Sequence, residues 1–170
     1  MKRLFASAAI LMLVGAGCAG RPDEDLTEYA NAQYGFAFDY PDGLEVRVRP
    51  DDVRAAKYLG LDVDFFASLR DLTKGEKPEN IAFFYAAEGL SADTFVQALE
   101  GSGPAIAVKS REDLRKNGIA LTKITSTTES GEDKTHYLFD RGGHTVIVSE
   151  FLYQHELFAP ILESVRTHKP

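Results

Sequence analysis

The only cysteine of the 170-residue chain, Cys18, ends an apolar segment at the N-terminus and limits how the rest of the chain can be stabilised. Lys2 and Arg3 supply two positive charges, and no residue from Leu4 to Gly20 is charged. This layout is typical of a secretory signal peptide, and the run is too short for a spanning helix, which needs about 20 apolar residues. The sequence therefore predicts a leader at residues 1–17. The domain after it has no cysteine, so its core rather than disulfides must stabilise it.

VGAGC, which ends at Cys18, resembles the lipobox of bacterial lipoproteins. The resemblance implies that the Cys18 thiol receives a diacylglyceryl group, that a peptidase cuts just before it, and that acyl chains such as palmitate anchor the protein. Two or more chains give stable anchoring, whereas one gives weak, reversible binding. Ala16 and Gly17 match the motif, and Gly15 stands where leucine is usual. The alternative is an ordinary cleavable leader, which would leave an unpaired exported thiol.

The residue after the cysteine bears on the membrane to which such a protein is sorted. In Gram-negative lipoproteins, aspartate at that position favours the inner membrane, and this chain has Ala19 there. The resemblance therefore implies the outer membrane, facing the periplasm. We predict an acidic tether at residues 18–27 and a single domain at residues 28–170. The tether is short, because about eight extended residues reach only about 28 Å.

Charge excludes one class of partner. The chain has 26 acidic and 19 basic residues, and its net charge is −7. Two of the basic residues, Lys2 and Arg3, lie in the predicted leader, so the domain is more acidic still. An acidic domain with no basic stripe is a poor candidate for binding nucleic acid. It is also repelled by anionic lipid headgroups, so the predicted contact with the membrane is the lipid at Cys18.

Alternating apolar and polar residues predict strands in the first third of the domain. Phe36, Phe38 and Tyr40 alternate with smaller or polar residues, a turn follows at 41–43, and 44–48 alternates again. We interpret these two strands as an antiparallel hairpin. A short helix is predicted over 51–60. The segment 61–69 fits a strand or a helix, and we favour the strand. Residues 81–87 are apolar on both faces and predict a buried central strand.

The rest of the chain alternates helices and strands. Ser91 is the predicted N-cap of a helix that runs to about Glu100. Strands are expected at 106–109, 119–127, 134–139 and 145–153, with a tight turn at 140–143. A last helix is expected within 155–167, with its regular part beginning near Ala159 because Pro160 is tolerated only near a helix start. This order predicts an α+β fold, with a mostly antiparallel sheet flanked by helices on both faces.

YGFAFDYPDGLEV and the C-terminal ILESVRTHK resemble the PsbP-like fold, which is seen in many small bacterial lipoproteins. Ser164-Val165 matches a serine and an apolar residue in the last helix of that family, and Leu44 stands where many relatives have tryptophan. The resemblance covers both ends of the domain and not residues 51–118. It implies an α/β/α sandwich and a mostly non-enzymatic protein that supports the assembly of larger complexes or binds to them.

No motif in the chain predicts a catalytic, cofactor or metal site. The sequence lacks a G-x-S-x-G nucleophile motif, and no base is identifiable for Ser149. The best metal candidates are His136 and His144 around the turn at 140–143. If Phe139 pairs with His144, the two histidines face opposite sides, whereas a one-residue bulge would place them on one face. We interpret them as ordinary surface histidines.

Acidic and aromatic residues form the other candidate groups. Asp62 and Asp64 would share one face of a strand, and a loop contains Glu129, Glu132 and Asp133. Such carboxylates can bind calcium or act in acid–base chemistry. In so acidic a chain, we expect them to form a solvated surface instead. The aromatic residues should mostly form the core. They are Phe36, Phe38, Tyr40, Phe65, Phe66, Phe83, Phe84, Tyr85, Tyr137, Phe139, Phe151 and Tyr153.

These observations predict a lipid-anchored, non-enzymatic cell-envelope protein whose domain binds an envelope protein partner or supports complex assembly near the membrane. Exposed aromatic side chains on a sheet face would favour this function. The alternative is a periplasmic domain that binds a small ligand or a metal, which a deep pocket with converging polar groups would favour. An enzyme would need perturbed titratable groups clustered in a cleft.

Overall fold

The computed structural model of the protein describes residues 25–74, 77–151 and 155–169. Within these ranges the chain forms eleven strands, two α-helices and a short 3₁₀ turn at Asp51–Val53. The helices are α1 (Ala92–Gly101) and α2 (His155–Ser164). The strands are β1 (Leu26–Asn31), β2 (Phe36–Pro41), β3 (Leu44–Val48), β4 (Ala55–Tyr58), β5 (Leu61–Asp71), β6 (Glu79–Glu88), β7 (Val108–Lys116), β8 (Ile119–Thr127), β9 (Asp133–Arg141), β10 (His144–Glu150) and β11 (Arg166–Thr167).

The predicted leader and Cys18 lie outside the described residues. The described chain enters β1 at Leu26, so the last two residues of the predicted tether belong to this strand. Among the residues that the structure describes, neither helix is long and apolar enough to cross a membrane.

The strands form two antiparallel sheets. The large sheet has the order β3-β5-β6-β10-β9-β8-β7, and β4 pairs with the first part of β5. The small sheet has the order β1-β2-β11. The outer strand β7 reads VKSREDLRK, and such a run of charges protects a sheet edge from pairing with other chains.

The large sheet is covered on both faces. The small sheet and α2 pack against one face, which we call the small-sheet face, and α1 packs against the other, the α1 face. Neighbouring residues of β10 alternate between them: Val146 and Val148 join the core under the small sheet, and Ile147 joins the core under α1. The predicted α+β fold and the expectation of helices on both faces are confirmed.

Several predicted elements are confirmed individually. The ambiguous segment 61–69 is part of strand β5, and residues 81–87 lie in the interior strand β6. The Ser91 hydroxyl caps α1 by accepting the N–H of Thr94 at 3.1 Å. Gly142 and Gly143 form the turn between β9 and β10, and both have positive φ, as a two-residue hairpin turn requires.

The predicted hairpin between residues 36–40 and 44–48 is wrong. Both strands exist, but β2 belongs to the small sheet and β3 to the large sheet. β2 pairs with β1 on one edge and with β11 on the other, which leaves no free edge for β3 along the first part of β2. The Gly43 carbonyl instead accepts the N–H of Leu72, at the end of β5. Alternation reports which face a residue occupies and not which strand lies beside it.

Three further boundaries differ from the prediction. The helix expected over 51–60 is a 3₁₀ turn followed by β4, and the strand expected at 106–109 continues to Lys116. Helix α2 begins at His155, so Pro160 lies inside it and not near its start. Pro160 removes only the bond to the Glu156 carbonyl, and both residues are exposed, so solvent can hydrate that carbonyl.

Ser164, which the PsbP resemblance singled out, joins the end of α2 to β2. Its hydroxyl accepts the N–H of Asp39 at 2.8 Å and donates to the Ile161 carbonyl at 2.7 Å. β11 pairs only with Phe36 and Ala37, so the next free N–H along the same edge of β2 donates to the Ser164 hydroxyl instead. Arg166 adds two hydrogen bonds to the Asp39 carboxylate, at 2.8 and 2.9 Å. These contacts fix α2 against the small sheet.

Candidate functional site

The two histidines around the β9–β10 turn do not form a common site. His144 pairs with Arg141, and His136 pairs with Ser149. The register is therefore neither of the two considered from the sequence, and His136 and His144 point to opposite faces. His144 contacts Tyr34 at 5.4 Å between ring centroids, below the small sheet, whereas His136 contacts Phe95 of α1 at 5.2 Å. The expectation that both are surface histidines is wrong for His136, which is fully buried.

The candidate carboxylates do not converge either. Asp62 and Asp64 share a strand face as predicted, but Asp62 pairs with Lys57, and Asp64 accepts a hydrogen bond from the Tyr34 hydroxyl. Asp133 pairs with Lys109, and Glu132 accepts from Ser130 at 2.9 Å. Glu129 is exposed. In the described ranges, no group of three or more His, Cys, Asp or Glu side chains is placed to hold a metal ion.

A buried polar cluster lies between α1 and the large sheet. The Tyr58 hydroxyl is 2.8 Å from Nε2 of His136 and 2.9 Å from Oγ of Ser149. Ser149 thus has a histidine two hydrogen bonds away, which the sequence did not reveal. Ser149 and His136 are both buried with no measurable exposure, so no substrate can reach either side chain. The cluster packs the core and does not present a nucleophile.

Burial sets the charge state of this cluster. Desolvation, and secondarily the nearby Lys134 ammonium, lowers the pKa of His136 from its ordinary value near 6.5 to about 3. Nδ1 of His136 has no hydrogen-bond partner, so protonation would bury a second N–H without an acceptor. Burial also raises the pKa of Tyr58 to about 12. Both side chains are therefore neutral at pH 7.

A second titratable group lies in a cleft beside the first turn of α2. Glu150 is almost completely buried, and its Oε1 is 2.8 Å from Nδ1 of His155. Burial raises the pKa of Glu150, and the partner His155 opposes that shift. Lys123 and Thr125 also line the cleft, whose volume is about 280 Å³. No feature of the sequence indicates this pair beyond the position of Glu150 next to Ser149.

The aromatic residues mostly form the core, as predicted. Phe36, Phe38, Phe66, Phe84, Tyr85, Tyr137 and Phe139 are buried. Tyr40 is partly buried, and Tyr153 lies outside the described residues. The other three, Phe65, Phe83 and Phe151, reach the surface together: the rings of Phe65 and Phe83 are 5.7 Å apart and those of Phe83 and Phe151 are 5.9 Å apart.

These rings lie in and beside an open groove of about 330 Å³ on the α1 face, near the β3 end of the sheet. Its apolar side chains are Pro50, Val53, Phe65 and Phe83, and Val48 borders it between the two arginines. Val53 is 47% exposed and the neighbouring Phe151 45%. Exposed apolar side chains are ordinary when they are scattered, whereas a contiguous set marks an interaction site. We call this surface the apolar groove.

Arg47 and Arg49 also line the apolar groove. The Arg49 guanidinium lies over the Phe65 ring, at 4.6 Å from the centroid, and donates to the Val53 carbonyl at 3.1 Å. The same turn is held from its other side, since Arg54 donates to the Arg49 carbonyl at 2.9 Å. The groove wall at 50–53 is thus fixed by hydrogen bonds. Aromatic residues and arginine are enriched at protein interfaces, and this wall and floor combine both.

Sequence reasoning found part of this surface. It identified the aromatic residues as a group but could not separate the three rings that reach the surface from the buried ones. The signal that was present is Val48 between two arginines, followed by Pro50, which ends the strand.

Comparison with solved structures identifies the architecture. The solution structure of cyanobacterial PsbP (CyanoP) from Synechocystis sp. PCC 6803 matches 92% of this chain and 99% of its own, with a TM-score of 0.55 and 13% identity. The fold is similar to that of PsbP. The PsbP-like fold implied by the sequence resemblance is therefore confirmed. At 13% identity the similarity concerns the fold alone.

Other comparisons add no functional information. The crystal structure of PA94, a Pseudomonas aeruginosa protein of unknown function, matches 81% of this chain and 91% of its own at 16% identity, but its TM-score is only 0.32. No family model matches the chain, and no curated protein matches it.

The buried imidazole predicts a specific pH dependence of stability. The pKa of His136 is lower in the folded state than in the unfolded chain, so the unfolded chain binds more protons between about pH 6.5 and pH 3. Stability should therefore fall as the pH decreases through that window, by about 1.4 kcal/mol per pH unit from this group. Urea unfolding of the wild type and His136→Asn between pH 7 and pH 4.5 measures the effect, and the variant should lose less stability on acidification.

His144→Asn is the matched control, because His144 lies on the other face and is only partly buried. It should keep the wild-type dependence on pH. Equal slopes for the wild type and His136→Asn would contradict the buried, neutral state of His136.

Proposed function

We propose that the protein is a lipid-anchored, non-enzymatic component of the cell envelope, whose PsbP-like domain binds a protein partner near the membrane through the apolar groove. The groove is the observation that carries this proposal. Full burial of an exposed apolar side chain gains roughly 1.5–3 kcal/mol, so a partner that covered the half-exposed Val53 and Phe151 would gain roughly half of that at each. A cluster of aromatic side chains that reaches the surface favours partner binding over the other functions.

The lipid anchor in this proposal rests on the sequence. The VGAGC motif supplies the acceptor thiol of Cys18, and Ala19 favours the outer membrane, with the domain facing the periplasm. Strand β1 begins at Leu26, so only the residues between Cys18 and Leu26 separate the anchor from the folded domain. At about 3.5 Å per extended residue, the domain stays within roughly 25–30 Å of the anchor. A partner near the membrane is therefore the natural target.

Two observations support a non-enzymatic role. The one serine–tyrosine–histidine cluster found in the described residues is closed to substrate, as both Ser149 and His136 are fully buried. The apolar groove, which is open, is lined by two arginines and two neutral polar residues, and no side chain there is a general base in reach of a nucleophile.

The alternative function, small-ligand binding, is best represented by the cleft at Glu150 and His155. Its buried carboxylate is the kind of polar group that orients a ligand. A ligand bound in this cleft would not involve the residues of the apolar groove. Substitutions in the groove would then leave the function of the protein unchanged, which separates this alternative from partner binding.

Replacement of the cysteine tests the anchor. In Cys18→Ser the thiol that would accept the lipid is gone, so the protein should move from the membrane fraction to the soluble fraction after cell lysis. Mass spectrometry of the N-terminal peptide of the wild type should show acyl chains on Cys18. If Cys18→Ser stays in the membrane fraction and the wild-type peptide carries no lipid, the anchor is wrong.

Site-specific crosslinking tests the partner surface. Val53 and Phe151 are each replaced by the photoreactive p-benzoyl-phenylalanine, and the cells are irradiated intact. Both positions should yield an adduct with the same protein, identified by mass spectrometry, because both flank the apolar groove.

Arg115, an exposed residue of the charged edge strand β7, is the control position and should give no adduct. Adducts at Arg115 without adducts at Val53 and Phe151, or no adduct at any of these positions, would sink the proposal of partner binding through the groove.

A further inference from the structure

We infer that the partner presents to the apolar groove an extended acidic segment, in which two carboxylates at alternate positions bind Arg47 and Arg49 and an adjacent apolar side chain lies on the Phe65–Phe83 floor. This inference rests on the proposed function, since it takes the groove as the binding surface and adds the chemistry of its occupant.

The charge of the groove is opposite to that of the chain as a whole. The chain has 26 acidic against 19 basic residues, yet the groove is lined by two arginines and no acidic residue. Among the described residues, neither Arg47 nor Arg49 forms an ion pair, nor do Arg115 and Arg141, whereas the other four arginines, Arg54, Arg70, Arg111 and Arg166, each contact a carboxylate. Two guanidinium groups without carboxylate partners at an apolar surface are the complement of an acidic ligand.

The position of the nearest exposed carboxylates limits where this ligand lies. Asp51 of the 3₁₀ turn pairs with Arg54 at 2.9 Å, on the side of the turn away from the groove lining. Asp52 is exposed in the same turn. A ligand that extends past Val53 therefore meets negative charge, whereas the carboxylate of Glu45 on β3 is paired with Arg70, so the ligand carboxylates belong at Arg47 and Arg49.

The spacing of the two arginines matches a strand-like ligand. Arg47 and Arg49 are two residues apart, and the ladder continues through Arg49, whose N–H donates to the Phe66 carbonyl at 2.8 Å. Residues two apart on a strand lie on one face at about 7 Å. An extended peptide repeats the same distance between its own alternate side chains, so carboxylates at positions j and j+2 match the backbone spacing of the two arginines.

The apolar floor lies beside the arginines, across the sheet from β3, because Phe65 is on β5 and Phe83 is on β6. Arg49 stacks on Phe65, and Phe65 makes an edge contact with Phe83. A ligand that passes the two arginines along β3 and then turns toward β5 places the residue two positions after its second carboxylate over the aromatic rings. Arginine binds carboxylates through two parallel hydrogen bonds, which gives this arrangement specificity as well as attraction. The resulting pattern is carboxylate, any residue, carboxylate, any residue, apolar.

Fluorescence anisotropy with a labelled peptide tests the inference. The probe carries Asp-Ser-Asp-Ser-Phe between glycines, and two control peptides replace both aspartates by lysine or the phenylalanine by serine. The full chain, purified in detergent, should bind the probe with an affinity that falls as salt rises, because the contact is ionic. Each control peptide should bind about tenfold more weakly or worse.

Charge reversal in the protein supplies the decisive comparison. Arg47→Glu with Arg49→Glu should lose the acidic probe and gain affinity for the lysine peptide. Arg47→Lys with Arg49→Lys should retain part of the binding, because the charge is kept and the paired hydrogen bonds are lost. The matched control, Arg115→Glu with Lys169→Glu, makes the same change in net charge at exposed positions outside the groove and should bind the probe like the wild type.

Two results would overturn the inference. One is equal binding of the aspartate and lysine peptides. The other is that the variant with Arg47→Glu and Arg49→Glu binds the probe as tightly as the wild type does, while circular dichroism shows that this variant is folded. If the groove crosslinks a partner in cells but does not select the acidic peptide, the inference fails and the proposed function stands. If anionic lipid vesicles displace the probe and bind the wild type more tightly, the groove recognises a lipid surface instead, and the peptide assignment is wrong.

Discussion

The aromatic contact between the two sheets is the interaction on which the rest of the structure depends. Phe38 of β2 stacks on Phe84 of β6 with centroids 5.3 Å apart, and Phe36 meets Phe139 of β9 edge-on at 5.4 Å. With no cysteine after Cys18, no disulfide can stabilise the domain. Deleting a buried phenylalanine ring costs about 3–5 kcal/mol, which is a large part of the stability of a small domain. The small sheet therefore has to sit on the large one for the domain to fold.

This layering explains why a groove exists on the opposite face. The small sheet and α2 cover one face of the large sheet, but α1 has ten residues and packs over its β7–β9 end, where Phe95 contacts His136. Tyr58, the last residue of β4, packs against Tyr85 of β6 over the middle of the sheet. Neither α1 nor Tyr58 reaches the part of this face beside Arg47 and Arg49. Among the described residues, no element covers the three rings there, which are Phe65, Phe83 and Phe151.

The sequence predicted which segments form strands and helices better than it predicted which strands lie side by side. Period-two alternation found β2 and β3 and favoured a strand at β5, because each residue of a strand reports the face on which it lies. It could not show that β2 and β3 separate into two sheets, since pairing is decided by contacts such as Gly43 with Leu72 that are distant in sequence. Because the large sheet is covered on both faces, apolar residues of its surface are hard to distinguish from core residues in the sequence. Phe151 looks like a core residue in the sequence, and only the assembled sheet reveals that it contacts Phe83 and stays 45% exposed.

The central claim is that the apolar groove is occupied in the cell. Hydroxyl-radical footprinting of intact cells, compared with the purified protein, measures the occupancy directly, because phenylalanine side chains are oxidised where solvent reaches them. Phe151 and Val53 should be oxidised less in cells, while the exposed Leu26 of β1, outside the groove, should be oxidised equally in both samples. Equal oxidation of Phe151 and Val53 in the two samples would contradict the account.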